Sequence, residues 1–254
     1  MQKKLLLQIN KKMKKYILFT IILYTTISNA QNINFGIKSG FNVSNVFEDL
    51  TEKENEIKSK FGFQIGGFAE FKINKNLSFH PEILFSNQVR MSHFQETKVI
   101  ILQGEFKYSV IRIYNLNYIN FPLMFDYKLS NKFNVEFGPQ IGYLISGKTK
   151  LEYENESYPE KNQIIEVDIT EKVKYNLDGL PYRLTTNAYR FDFGLNFGAS
   201  YDLSNSIFIQ GLYNFGLTSL EESKKYYFTE FSDNWNLKNS VFQLSLGYRF
   251  LKSK

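Results

Sequence analysis

The stretch Tyr189-Arg190-Phe191-Asp192-Phe193-Gly194-Leu195-Asn196-Phe197-Gly198-Ala199-Ser200-Tyr201 alternates without a break. Tyr189, Phe191, Phe193, Leu195, Phe197 and Ala199 fall on one side, and Arg190, Asp192, Gly194, Asn196, Gly198 and Ser200 on the other. Successive side chains of a β-strand point to opposite faces, so a period of two predicts a strand with one apolar and one polar face.

The same period recurs along the chain. Asn32–Val43, Phe61–Lys72, Leu77–Ser86, Phe133–Leu144, Ile207–Leu217 and Ser240–Phe250 each place Phe, Ile, Leu, Val or Tyr at most alternate positions. Residues 114–127 are less regular. Leu116 and Tyr118 hold one phase, while Ile119, Phe121, Leu123, Phe125 and Tyr127 hold the other. A β-bulge near Tyr118-Ile119 reconciles them, and Pro122 needs a place without a ladder donor. Eight strands are therefore expected.

Their connections alternate in length. Short turns fall at 74–76, 130–132 and 204–205, and long polar connections at roughly 44–60, 87–113, 145–188 and 218–239. Within the longest, Ile164–Ile169 and Val173–Leu177 are candidates to extend strands beyond a membrane. Alternating short and long connections fit an all-β, antiparallel up-and-down transmembrane barrel with both termini periplasmic. A lipocalin-like soluble barrel alternates too, with its apolar face inward. The membrane reading is favoured by aromatic-rich apolar faces, tyrosines near strand ends (Tyr127, Tyr143, Tyr189, Tyr201, Tyr248) and polar faces rich in Gly, Asn, Gln and Ser.

Residues 1–30 read as a signal peptide ahead of a barrel domain at 31–254. Lys11 to Lys15 precede an apolar core from Tyr16 to Ile27, then Ser28-Asn29-Ala30 before Gln31. That core falls short of the roughly 20 residues a spanning helix needs. Met13 is an alternative start. Residues 1–30 also hold six of the 31 basic residues and no acid, so the remainder carries 25 of each sign. The +6 formal charge is then no argument for a nucleic-acid partner. Zero cysteines exclude disulfides and thiol chemistry.

Several segments carry a resemblance: Phe35-Gly36-Ile37-Lys38-Ser39-Gly40, His80-Pro81-Glu82-Ile83-Leu84-Phe85-Ser86, Phe137-Gly138-Pro139-Gln140-Ile141-Gly142, Phe191-Asp192-Phe193-Gly194 and Tyr213-Asn214-Phe215-Gly216-Leu217. In order and spacing they resemble the PorT-like outer-membrane barrels of Gram-negative bacteria, often labelled "porin family", over nearly all of residues 31–250. The resemblance implies lipid of the outer membrane as surroundings. It also implies the barrel-insertion machinery as a partner, reading the last strand at Phe250, although Leu251-Lys252-Ser253-Lys254 follow here. Membership of a secretion or envelope-assembly machine is a further implication.

Candidate chemistry is sparse. Ser78, His80 and Glu82 share one face of one strand, the residue types of a lipid hydrolase, but same-face neighbours lie about 6.5–7 Å apart, beyond hydrogen-bond reach. Lumenal packing is the simpler role. His93 has Glu96 three residues away and no regular third ligand, so neither metal nor cofactor is expected. The polar faces carry Lys38, Glu70, Glu82, Glu136, Arg190, Asp192 and Arg249, with Asp126 added if the bulge falls as placed. Lys38, Glu82 and Glu136 should sit near mid-height, Glu70 and Arg249 near the periplasmic end. In an eight-stranded barrel, whose interior side chains just fill, these charges should pair and leave no water path. The expected function is non-catalytic: a barrel whose external loops make surface or envelope contacts.

Overall fold

A computed structural model describes residues 33–47, 56–101, 104–155, 163–170, 173–176, 183–186, 189–219 and 238–250. The expected leader at 1–30 and the tail at 251–254 lie outside the described residues. Eleven strands follow in order: β1 (Ile33–Phe47), β2 (Glu56–Lys72), β3 (Leu77–Ile101), β4 (Gly104–Lys128), β5 (Phe133–Asn155), β6 (Gln163–Asp168), β7 (Val173–Asn176), β8 (Arg183–Thr186), β9 (Phe191–Asp202), β10 (Ile207–Ser219) and β11 (Lys238–Phe250).

Eight of them close a barrel, each antiparallel to its neighbours: β1-β2-β3-β4-β5-β9-β10-β11 and back to β1. Closure pairs Phe35 with Phe250 and Phe47 with Lys238, so every strand edge at barrel height is used. The apolar face is outside. Phe41, Phe61, Phe191 and Leu244 are among many apolar side chains more than half exposed, whereas Lys38, Gln64, Glu82 and Asn196 within are at most 5% exposed. That inversion of a soluble core excludes the lipocalin-like arrangement and suits a hydrocarbon surrounding. On β9 the outward run from Phe191 to Tyr201 covers about 33 Å of strand, or about 25 Å of height at the usual tilt. Toward the short-turn end, Phe71, Phe79, Phe125 and Phe137 form one aromatic row around four strands, with centroids 5.1–6.2 Å apart.

The three short turns share one design. Asn74 Oδ1 accepts from the amides of Asn76 and Leu77, Ser130 Oγ from Lys132 and Phe133, and Ser204 Oγ from Ser206 and Ile207. A side-chain oxygen at the first turn residue thus satisfies two amides that have left the ladder.

At the other end the strands are unequal. The 87–113 stretch, expected as a loop, is strand: β3 and β4 stay paired from Asn87 with Asn117 to Ile101 with Gly104. Backbone pairing needs no apolar–polar alternation, so a polar connection can continue the ladder. β5 runs on beside it and β6 pairs with β5, Lys148 opposite Asp168 and Lys150 opposite Glu166. All of the expected Ile164–Ile169 but its last residue therefore lies in β6, while Val173–Asn176 pairs with β8 in a separate hairpin. On the outer face the apolar belt gives way to amides and hydroxyls: Asn87 Nδ2 donates to Asn115 and Asn117 Oδ1, and Asn117 Nδ2 to Ser146 Oγ. The result is a wall on one side of the barrel. From Asn87 to Ile101 it adds about 45 Å of strand.

The bulge is misplaced by the sequence reading. β4 keeps one phase throughout, with Tyr114, Leu116, Tyr118, Asn120 and Met124 all buried inward. The extra residue is on β5, where Asn117 pairs with Ser146 and Tyr118 with Leu144, leaving Ile145 between. The apolar–polar change along β4 is a change in what the lumen contains at that height.

Candidate functional site

β1, β3, β5 and β10 each send a polar side chain to the barrel centre. Lys38 Nζ lies 2.6 Å from Glu82 Oε2 and donates to Gln210 Oε1 at 2.7 Å. Gln210 Nε2 donates onward to Glu136 Oε2 at 2.5 Å. One ammonium therefore serves Glu82 directly and Glu136 through the amide of Gln210. On the other side of Glu82, His80 Nδ1 is 3.1 Å from Asp126 Oδ2, and its Nε2 is 3.8 Å from Glu82 Oε1. Asp126 reaches this cluster with no bulge on β4, because the unbroken phase already turns it inward.

Nearer the short turns, Arg249 lies 2.6 Å from Asp202 Oδ1 and 3.5 Å from Glu70 Oε2. Its guanidinium also lies over the Phe208 ring, 4.3 Å from the centroid. Phe208 packs edge-on against Phe68, and Phe68 against His80. Gly247 and Gly36 make room for these rings: a Cβ on Gly247 would strike Phe208, and one on Gly36 would strike Phe68. Aromatic bulk thus closes the lumen below the charged cluster.

Above it the filling is amide-rich. Asn214 donates to Asn196, which donates to Gln140. Gln64 donates to Ser245, and Asn42 to Ser86. Higher still, Tyr114, Leu116, Tyr118 and Leu144 form a buried apolar cluster with Ile169, a loop residue folded into the mouth. The Ile169 amide is held by the Gly147 carbonyl at 3.0 Å.

The charged residues expected to form the network divide. Lys38 and Glu82 meet directly, Glu136 joins through Gln210, and Glu70 joins Arg249. Arg190 and Asp192 are not brought together. Arg190 donates to the carbonyls of Leu144 and Thr170, and Asp192 accepts from Asn239 and Thr218. Asp126, expected here only with a bulge on β4, joins through His80, and Gln210, His80 and Asp202 complete the clusters without having been expected as partners. Their roles depend on cross-strand register. The hydrolase constellation is not assembled: Ser78 Oγ donates to Glu70, 3.4 Å away, and Glu82 is engaged by Lys38. The side chains of His93 and Glu96 lie outside the described residues.

The family described as "Outer membrane protein beta-barrel domain" matches residues 29–222. No curated protein matches the chain. Among solved structures it is similar to Neisserial surface protein A, at 11% identity and a TM-score of 0.38, over 85% of this chain and 97% of that one. It is also similar to Ail, the attachment invasion locus protein of Yersinia pestis, solved with the heparin analogue sucrose octasulfate. There the identity is 14% and the TM-score 0.38, over 87% of this chain and 100% of that one. For OprG from Pseudomonas aeruginosa the identity is 10% and the TM-score 0.35, over 86% and 96%.

Proposed function

Given that the chain belongs to the outer membrane protein beta-barrel domain family, we propose that it is a closed, non-conducting, non-catalytic barrel that holds the β3–β6 wall beyond the cell surface for contact. Both termini and the short turns face the periplasm in this reading. The observation that carries it is a contrast along the axis. The lumen is packed with buried polar groups between Phe68–Phe208 and the Ile169 cluster, while β3, β4 and β5 run on past the apolar belt. A filled interior disfavours transport, and a paired extension favours a rigid binding surface.

Epitope tags test the orientation. A tag between Glu160 and Lys161 should be labelled by antibody on intact cells, and one at Asn205 only after the outer membrane is opened. The reverse pattern would overturn the proposal.

The strand motifs shared with PorT-like barrels support a second, finer reading, a subunit of a secretion or envelope-assembly machine. Deletion would then abolish export of particular cargo, and the wall or the periplasmic turns would co-purify with envelope proteins from native membranes.

A further inference from the structure

The His80 cluster has an acceptor too many. His80 Nδ1 faces Asp126 Oδ2 at 3.1 Å, so with an ionised carboxylate there the ring hydrogen belongs on Nδ1. Nε2 then offers a lone pair to Glu82 Oε1, 3.8 Å away. Neither atom has a hydrogen-bond partner, and both residues are at most 5% exposed. Two facing acceptors repel, more strongly in a low-dielectric interior.

The wider charge distribution has the same sign. Facing this space are Lys38 from β1, Glu70 from β2, Glu82 and His80 from β3, Asp126 from β4, Glu136 from β5, Asp202 from β9 and Arg249 from β11, with neutral Gln210 from β10. With histidine neutral and every carboxylate ionised, five anions would share two cations. Burying such an excess is costly unless a counter-charge is bound.

We propose that the barrel interior binds a proton between His80 Nε2 and Glu82 Oε1, taken from solvent and held jointly by the two side chains. The proton converts the opposed acceptors into a charge-assisted bond, which a small rotation of either side chain brings to normal length. It also completes a continuous series, Asp126–His80–Glu82–Lys38–Gln210–Glu136, across the lumen. The proton belongs to the coupled group rather than to one atom. As pH rises and it leaves, the two acceptors again oppose each other and the centre of the barrel loosens.

The test uses the folded barrel in detergent micelles, with a His93→Gln background so that His80 is the one histidine observed. Nitrogen NMR of the imidazole and the infrared protonated-carboxyl stretch are recorded at neutral pH. The expected result is either an imidazolium or a protonated-carboxyl band that Glu82→Gln removes. Glu82→Gln supplies its own amide hydrogen to Nε2, so it should also flatten the alkaline loss of thermal stability expected of the parent. Should Glu82→Gln fail to fold, the spectra of the parent alone decide. A neutral ring with bare Nε2 and no protonated-carboxyl band overturns the proposal. So does a metal or alkali ion retained through extensive chelation and dialysis in place of the proton.

Discussion

Lys38 Nζ lies 2.6 Å from Glu82 Oε2, and both side chains are wholly shut off from solvent. Removing one partner leaves the other charge buried and alone, which typically costs about 3–5 kcal/mol. Lys38→Met should therefore destabilise the barrel by about that much, as read from urea-dependent refolding into micelles. The double change Lys38→Met with Glu82→Leu should recover most of the loss. A single variant as stable as the parent would remove the pair from any account of the core.

Phe193 is 44% exposed on the outer face, and Leu195 is two residues further along the same strand. Arginine at either position should cost about 2–4 kcal/mol in vesicle refolding, because it sets a charge near mid-bilayer. Arginine at Asn115, on the same outer surface but beyond the apolar belt, loses one exposed hydrogen bond and should be tolerated. Equal tolerance at all three sites would reverse the assignment of faces.

The turn oxygens offer a smaller and more local test. Ser204→Ala removes the acceptor for two amides, at 3.2 and 3.0 Å. A loss of about 1 kcal/mol is expected. Asn74→Ala should match it, and hydrogen exchange at Leu77 and Ile207 should quicken in the respective variant.

Planar-bilayer recording of the purified barrel should show no stable conductance steps. Ile169→Ala, which empties part of the mouth, should stay silent as well, since the Lys38 cluster and the Phe68–Phe208 pair still fill the lumen. Steps appearing in this variant alone would make Ile169 the barrier and deny that role to the deeper layers.

Acid should loosen the link after β6. Hydrogen bonds from the Thr170 hydroxyl and amide hold the Asp168 carboxyl below the ordinary carboxylate range. A lowered folded value means that the ordering is fully present above the ordinary carboxyl value of 3.8 and is lost as pH falls through the folded one. Protection of the Thr170 amide, taken against its intrinsic exchange rate, should thus be full at neutral pH and fall in strong acid. Asp168→Asn should weaken that dependence.

The barrel strands were legible wherever alternation separates apolar from polar residues, as in Tyr189–Tyr201. It failed at 114–118 because Tyr114, Leu116 and Tyr118 line an apolar part of the lumen. There, hydrophobicity no longer reports which side faces lipid. The bulge escaped notice because it belongs to β5, and Ile145 reads there as one more apolar residue. Pairing in the lumen was legible only as a set of inward charges. Which carboxylate Lys38 meets, and that Gln210 carries its influence to Glu136, follow from the relative stagger of strands distant in sequence. Arg190 and Asp192 belong to the set of inward charges expected to pair, yet rim carbonyls claim the first, and Asn239 and Thr218 engage the second.

The unequal strand lengths have a mechanical consequence. β3 and β4 pass from the tip of the wall to the short turns with one ladder between them, Ile101–Gly104 at one end and Leu77–Tyr127 at the other. Tension applied at the tip therefore runs along the strands and loads their cross-links in shear, many at once, instead of peeling them one by one. The load reaches the bilayer through two staves of a closed hoop, which share it with their neighbours on both sides. Whatever grips the wall grips a lever whose fulcrum is the rim and whose anchor is the whole barrel.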